Sequence, residues 1–184
     1  MHKYLYILLL ISLHFSIKGQ TFNGSGGAIA GSSTTQTCYN ATVSSVGIIN
    51  GTKGLAQVCM NITHPNTDEL EIVLTAPDGT IVPLTVQNGG SGNNYTNTCF
   101  TATAPTSIKF GTSPFTGAFL PEGYLGAVNN GQNANGIWKL CIQDRRTTAN
   151  AGTLNNWSLT FNTTPAPLPP AFPACTTTLT AGSS

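Results

Sequence analysis

The sequence predicts an all-β protein built as an antiparallel β-sandwich or jelly roll. Runs of strand length alternate apolar and polar residues, as in residues 55–64 and 154–162, which is the pattern of strands with one buried and one wet face. Turn residues such as Pro77-Asp78-Gly79 close these runs. The apolar spacing of helices, and the strand–helix succession of parallel α/β proteins, do not appear.

Strand-length runs follow one another along the chain at residues 42–48, 55–64, 70–77, 80–86, 98–104, 137–144 and 154–162. Each is rich in the β-branched and aromatic residues that strands favour. The long Gly- and Asn-rich stretch 109–134 carries several aromatic side chains. We expect loops there that these aromatics anchor, and a functional loop is an alternative because loops of that length are uncommon.

The N-terminal segment 1–19 is expected to be a signal peptide. Lys3 precedes an apolar run, residues 4–17, that is too short to cross the ~30 Å hydrocarbon core of a bilayer, and Gly19 offers a small residue for cleavage. After its removal we expect no membrane span. The Gly-, Ser- and Thr-rich residues 20–37 then form a flexible lead-in or a first edge strand, and the main domain covers residues 38–164.

The C-terminal composition indicates a proline-rich spacer followed by a further segment. Residues 165–174 are proline-rich and predict an extended linker. Residues 175–184 are too few to fold alone, so we expect the start of a further module or a tail. The chain would then belong to a larger exported protein.

The charge composition excludes nucleic acid and anionic membrane surfaces as partners. Only 7% of residues are charged, with Lys+Arg 7 against Asp+Glu 6. Proteins that bind phosphate backbones carry clustered Lys and Arg instead.

The cysteine pattern predicts disulfides, because export places the chain in an oxidising compartment. Cys59 and Cys141 both lie on the strand face opposite their apolar neighbours. We therefore expect a Cys59–Cys141 bridge if those strands adjoin, with Cys38 and Cys99 as the remaining pair, although spacing leaves the other pairings open. Cys175 is left over.

The residues favour a non-catalytic protein. His64 is the only histidine after residue 19, and neither G-x-S-x-G nor HExxH nor CxxC occurs, which removes the usual signatures of serine hydrolases and zinc sites. His64 is interpreted as a structural histidine at a strand end. Trp138 and Trp157 share the apolar face of their strands, so core packing is favoured over a sugar-stacking platform.

The acidic residues allow two interpretations. Four of the six lie within residues 68–78, and clustered oxygen ligands suit Ca²⁺; Asp68, Asp78 and Asp144 are the candidate ligands. The alternative is that these acids keep the wet face soluble. A pair of glycosidase carboxylates would need a separation of roughly 5 to 9.5 Å, and nothing in the sequence favours it.

Two stretches resemble a known family. VCMNITHPNTDELEIVLTAPDGT at 58–80 is similar to V-x-V-x-I-x-H followed by D-L-x-I-x-L-x-S/A-P-x-G-T, and residues 133–161 are similar to G-x-W-x-L-x-V-x-D and G-x-L-x-x-W-x-L-x-F. These are motifs of the P domain, or Homo B domain, of proprotein convertases and secreted bacterial proteins. The resemblance implies an eight-stranded galactose-binding-like jelly roll beside a subtilisin-like serine endopeptidase. Glu69 stands where the family usually has Asp.

We therefore expect a secreted module, extracellular or at the cell surface, that stabilises or presents neighbouring domains and has no catalytic site. The alternative is a calcium-dependent or glycan-binding adhesive module that contacts a glycan or protein ligand through the 109–134 loops, with Phe119 and Tyr124 as contacts.

Overall fold

Two packed β-sheets make up the protein, in a computed structural model that describes residues 19–146 and 150–171. The larger sheet has the strand order β1-β10-β4-β7-β8 with β2 also paired to β10, and the smaller has the order β3-β9-β5-β6. The strands are β1 (Gln20–Gly24), β2 (Gly27–Ile29), β3 (Thr37–Val43), β4 (Gly54–Thr63), β5 (Leu70–Thr75), β6 (Ile81–Val86), β7 (Tyr95–Thr101), β8 (Phe115–Phe119), β9 (Gly136–Asp144) and β10 (Gly152–Asn162). The predicted all-β sandwich is confirmed.

Short 3-10 helices connect some of the strands: η1 (Thr67–Glu69), η2 (Ile108–Phe110) and η3 (Leu125–Val128). All strand pairs are antiparallel except β7 with β8, which is parallel. Within the described ranges, no helix has both the length and the apolar character needed to cross a membrane. The expected signal peptide, apart from Gly19, and the segment 175–184 lie outside the described residues.

The core lies between the sheets and contains both tryptophans, as predicted. Trp138 on β9 and Trp157 on β10 are fully buried. The Trp138 ring meets that of Phe161 edge-on at 5.5 Å between centroids, a favoured aromatic geometry. Each indole N–H finds a backbone carbonyl: Trp138 donates to Ala134 and Trp157 donates to Ser25. The interior therefore buries these rings without leaving their polar atoms unpaired.

The lead-in 20–37 is not a flexible segment throughout. Its residues form β1 and β2, both paired to β10 at the edge of the larger sheet. Gly24 makes this possible where β1 passes the Trp157 ring, because a Cβ there would lie 2.0 Å from the indole. Of the two alternatives, the first edge strand is the one found, and the small residues serve close packing.

Two other boundaries differ from the prediction. The run 42–48 is not a strand: β3 ends at Val43, and Ser45 (φ 62°) and Gly47 (φ 77°) turn the chain out of the sheet. Within 109–134, β8 adds a strand that alternation did not reveal. It is five residues long and contains Gly117 at φ 91°, so its sequence lacks a strand signature.

The proline-rich segment begins as part of the domain rather than as a linker. The N–H of Ala166 donates to the Leu55 carbonyl at 2.9 Å, and the Asn129 side chain donates to the Ala166 carbonyl at 2.9 Å. Pro167 packs so closely on Gly126 that a Cβ there would lie 1.8 Å from its carbonyl oxygen. Residues 165–167 therefore close the edge of the core, and residues 172–174 lie outside the described range.

Candidate functional site

His64 lies at the end of β4 with its side chain fully buried. Its Nδ1 is 2.8 Å from the carbonyl oxygen of Asn66, while the backbone N–H of Asn66 also lies 3.2 Å from Nδ1. A carbonyl oxygen can only accept a hydrogen bond. Nδ1 therefore donates to the carbonyl in one tautomer and accepts the N–H of Asn66 in the other, and in both tautomers Nε2 faces Asp144.

Two carboxylates face that imidazole. Asp144 ends β9, and its Oδ2 lies 3.5 Å from Nε2 of His64 with both side chains fully buried. Glu69 ends η1 and is only 4% exposed. The ligand-type atoms of the three residues lie within 4.8 Å of one another. We call His64, Glu69 and Asp144 the His64 cluster.

The elements that hold the cluster belong to both sheets. β4 is in the larger sheet and β9 is in the smaller one, while η1 leads directly into β5 beside β9. Asp144 pairs opposite Leu70, the residue that follows Glu69. The cluster therefore lies at the end of the sandwich where the two layers meet.

Other polar contacts fix the carboxylates. Oδ1 of Asp144 accepts the N–H of Arg146 at 3.0 Å. Glu69 accepts from the side chains of Asn66 at 3.0 Å and Asn150 at 3.3 Å. The facing atoms, Nε2 of His64 and Oδ2 of Asp144, have no hydrogen-bond partner in the described part of the chain. Buried polar atoms are normally paired, so this arrangement calls for an explanation.

The geometry does not match that of an acyl-transfer site. Nothing in ranges 19–146 and 150–171 places a hydroxyl or thiol within hydrogen-bond reach of Nε2, where a nucleophile would have to lie. Gly152 covers the ring so closely that a Cβ would lie 2.4 Å from Cδ2 of His64. The imidazole is thus sealed in the protein, and the cluster can stabilise the fold or hold a cation.

The sequence placed His64 at a strand end but did not bring it together with the acids. A signal was present: His64 continues the inward alternation of Val58, Met60 and Ile62, and Asp144 continues that of Trp138, Leu140 and Ile142. A polar residue on the inward face of two strands predicts a buried polar contact, since an isolated buried charge is costly.

The three expected calcium ligands do not meet in one site. Asp144 belongs to the His64 cluster, whereas Asp68 pairs with Arg146 at 3.0 Å at the surface. Asp78 lies in the β5–β6 turn, at the other end of β5 from Leu70 and Asp144. Five residues of strand separate those ends by about 17 Å.

The Asp78 carboxylate is already supplied with donors. It accepts from the backbone and hydroxyl of Thr80, each at 2.9 Å, and from Asn130 at 2.8 Å. Burial acts to raise the pKa of Asp78, but hydrogen bonds from Asn130, Thr80 and Gln132 outweigh it and lower the pKa below its ordinary value. This acid fixes the turn.

The expected disulfide pairing is wrong. The bridges are Cys38–Cys141 and Cys59–Cys99, not Cys59–Cys141 with Cys38–Cys99. Cys59 is on β4 and Cys141 is on β9, so they lie in different sheets with the core between them. Each instead faces a cysteine directly across its own sheet, in the registers of β3 with β9 and β4 with β7. Directly opposed residues have the close Cβ separation that a bridge requires.

The 109–134 loops expose two large rings. Phe110 is 83% and Tyr124 is 64% exposed, whereas Phe119 is half-buried and packs edge-on against Phe115 at 5.5 Å. Tyr124 borders an open pocket of ≈ 360 Å³. Of the two expected loop contacts, Tyr124 is therefore accessible and Phe119 mainly supports the fold.

The chain belongs to the proprotein convertase P-domain family, whose model matches residues 54–161. That match runs from β4 to β10 and includes the whole His64 cluster. The resemblance inferred from the two motifs is confirmed.

Two further comparisons place the chain among larger proteins. It is 30% identical over 125 residues to Leupeptin-inactivating enzyme 1 of Streptomyces exfoliatus, covering 66% of this chain and 22% of that protein. In structure it is similar to a chain in the Aeromonas sobria serine protease–chaperone complex, with a TM-score of 0.48, 20% identity, and coverage of 79% and 26% of the two chains. A solved structure of a serine protease of Aeromonas sobria gives a TM-score of 0.45 with 19% identity, over 78% of this chain and 26% of that one. The chain thus spans about a quarter of these relatives.

Proposed function

We propose that this chain is a non-catalytic accessory module that stabilises or presents the neighbouring domains of an exported hydrolytic enzyme. Membership of the P-domain family is the observation that carries the proposal. The match to Leupeptin-inactivating enzyme 1 covers only 22% of that protein, which fits a module attached to an enzyme. Two disulfides favour an oxidising, extracellular location.

The site geometry supports a non-catalytic role. His64 is the only histidine after residue 19, and it is sealed between the sheets rather than open to substrate. A general base must come within hydrogen-bond reach of the proton it removes. A buried imidazole with no hydroxyl in reach of Nε2 among residues 19–146 and 150–171 does not meet that requirement.

The surface supports contact with a neighbouring domain. Phe110 and Tyr124 stand exposed at the 109–134 loops, and Lys109 and Glu122 lie 3.9 Å apart beside them. Exposed aromatic side chains with charged residues at the rim are typical of protein interfaces. We therefore assign the domain-contacting surface to these loops.

A domain exchange tests the proposal. In Leupeptin-inactivating enzyme 1, the matching segment is either deleted or replaced by residues 20–171 of this chain, and the half-life of activity at elevated temperature is measured. We expect deletion to shorten the half-life and the replacement to restore much of it. A chimera with Phe110→Ser and Tyr124→Ser should lose that protection, while Ile81→Ser, an exposed residue at 60%, serves as the matched control.

Two results would contradict the proposal. One is a chimera as labile as the deletion variant. The other is turnover of a chromogenic peptide, ester or glycoside by the purified full chain that His64→Gln abolishes.

A further inference from the structure

We propose that the His64 cluster binds one divalent transition-metal ion of the zinc class, which links the two sheets. The first argument is a pair of buried polar atoms that face each other without a hydrogen-bond partner in the described part of the chain, Nε2 of His64 and Oδ2 of Asp144. In the tautomer whose Nδ1 proton goes to the Asn66 carbonyl, Nε2 presents a lone pair to that carboxylate oxygen. Two buried acceptor atoms that face each other need a shared cation or proton between them.

The distance fits a shared metal ion. Zinc binds histidine nitrogen at about 2.0–2.1 Å and carboxylate oxygen at about 2.0–2.2 Å with tetrahedral angles, which places two ligand atoms about 3.4 Å apart. Nε2 of His64 and Oδ2 of Asp144 are 3.5 Å apart. A direct hydrogen bond would bring those atoms to about 2.7–3.2 Å. The carboxylate of Glu69 lies within 4.8 Å of both.

The ligand types favour a zinc-class ion over calcium. The cluster offers one imidazole nitrogen and two carboxylates. An imidazole ligand suits zinc-class metals, whereas calcium takes oxygen ligands.

The surrounding contacts are those that orient metal ligands. A ligating histidine commonly donates its second ring N–H to a backbone carbonyl, and ligating carboxylates are hydrogen-bonded in turn. Here Nδ1 of His64 bonds to Asn66, Oδ1 of Asp144 accepts from Arg146, and Glu69 accepts from Asn66. The ligand atoms are therefore held in place before any ion binds.

The ion would connect the end of β4, in the larger sheet, with the end of β9, in the smaller sheet, and with the end of η1. A metal that binds only the folded protein stabilises it by mass action. This role does not depend on the proposed accessory function, because it concerns the stability of the module itself.

The experiment measures metal content and metal-dependent stability of the full chain, purified without a polyhistidine tag. We expect about one zinc per chain by elemental analysis. Chelation should lower the melting temperature by several degrees, and Zn²⁺, but not Ca²⁺, should restore it. His64→Gln and Asp144→Asn should lose both the metal and the response, whereas Asp78→Asn, an exposed acid outside the cluster, should keep them.

Because buried substitutions can prevent folding, a measurement on the unaltered chain is included. Co²⁺ added to the chelated protein should give visible absorption of a tetrahedral site with a nitrogen ligand. The proposal is overturned if Zn²⁺ and Co²⁺ neither bind nor raise the melting temperature, or if only Ca²⁺ does so. NMR spectra that show both ring nitrogens of His64 protonated in the purified chain would also overturn it, and would identify a buried imidazolium–carboxylate pair.

Discussion

Removing each disulfide in turn gives the most quantitative test of the fold. The Cys38–Cys141 bridge closes a loop with a sequence separation of 103, and the Cys59–Cys99 bridge closes one of 40. Cross-links stabilise a protein by reducing the entropy of its unfolded chain, and the reduction grows with loop length. The loop-entropy relation gives about 4.7 kcal/mol for the longer loop and about 3.9 kcal/mol for the shorter.

The assay is urea unfolding followed by the fluorescence of the two buried tryptophans. Two double variants are made, Cys38→Ala with Cys141→Ala and Cys59→Ala with Cys99→Ala. Each is compared with the protein that keeps both disulfides. All three proteins carry Cys175→Ser, so that a leftover thiol cannot exchange with the disulfides. We expect each pair of substitutions to lower the free energy of unfolding by several kcal/mol, and the first pair to lower it at least as much as the second.

Peptide mapping of the unreduced protein accompanies the unfolding curves. It should show Cys38 linked to Cys141 and Cys59 linked to Cys99. A loss below about 1 kcal/mol for either pair, or a peptide that joins Cys59 to Cys141, would refute the reasoning from sheet register.

Four further outcomes follow from particular contacts. Trp157→Ala should cost about 3–5 kcal/mol of unfolding free energy, measured in urea, because it opens a cavity under a fully buried ring; a cost below about 1 kcal/mol would contradict the assigned core. Gly152→Ala should lower the melting temperature strongly, since its Cβ would lie 2.4 Å from His64. The control Gly79→Ala meets no atom within 4 Å and should show only the smaller cost of its positive φ. Equal melting temperatures for the two variants would argue against the sealed imidazole. Asn129→Ala should lower the free energy of unfolding by about 1–3 kcal/mol, because the Asn129 carboxamide bonds both to Leu55 and to the proline-rich segment. Limited proteolysis should also cut near residue 166 earlier in this variant than in the control Asn130→Ala. Finally, NMR titration should find the pKa of Asp78 below its ordinary value, and Asn130→Ala should raise that pKa. Since the folded pKa lies below the unfolded one, the contribution of Asp78 to stability is present at neutral pH and is lost as pH falls through the folded pKa. An unchanged pKa in Asn130→Ala would contradict that cause.

The sequence predicted the elements whose packing is local and regular. β4, β9 and β10 alternate inward apolar residues with outward polar ones, and Trp138 and Trp157 lie in the core as their neighbours indicated. Their period-2 pattern is sufficient because one face of each strand is buried over its whole length. Two motifs at the correct spacing then identified the family.

The rest depended on contacts between distant parts of the chain. β8 has a glycine at positive φ in its centre. β1 is a five-residue edge strand with one large apolar residue, Phe22, and it pairs with β10. The disulfide pairing required knowledge of which strands share a sheet, since Cys59 and Cys141 have equivalent sequence settings in opposite layers. For the same reason, the His64 cluster joins three residues that no sequence spacing relates.

The most direct test of the account is the reactivity of His64 with diethyl pyrocarbonate in the folded full chain, read by mass spectrometry of the peptide that contains it. We predict no detectable modification of His64 until the chain is unfolded, because its side chain is fully buried under Gly152. Rapid modification of His64 in the folded protein would place the imidazole in an open cleft and contradict the account.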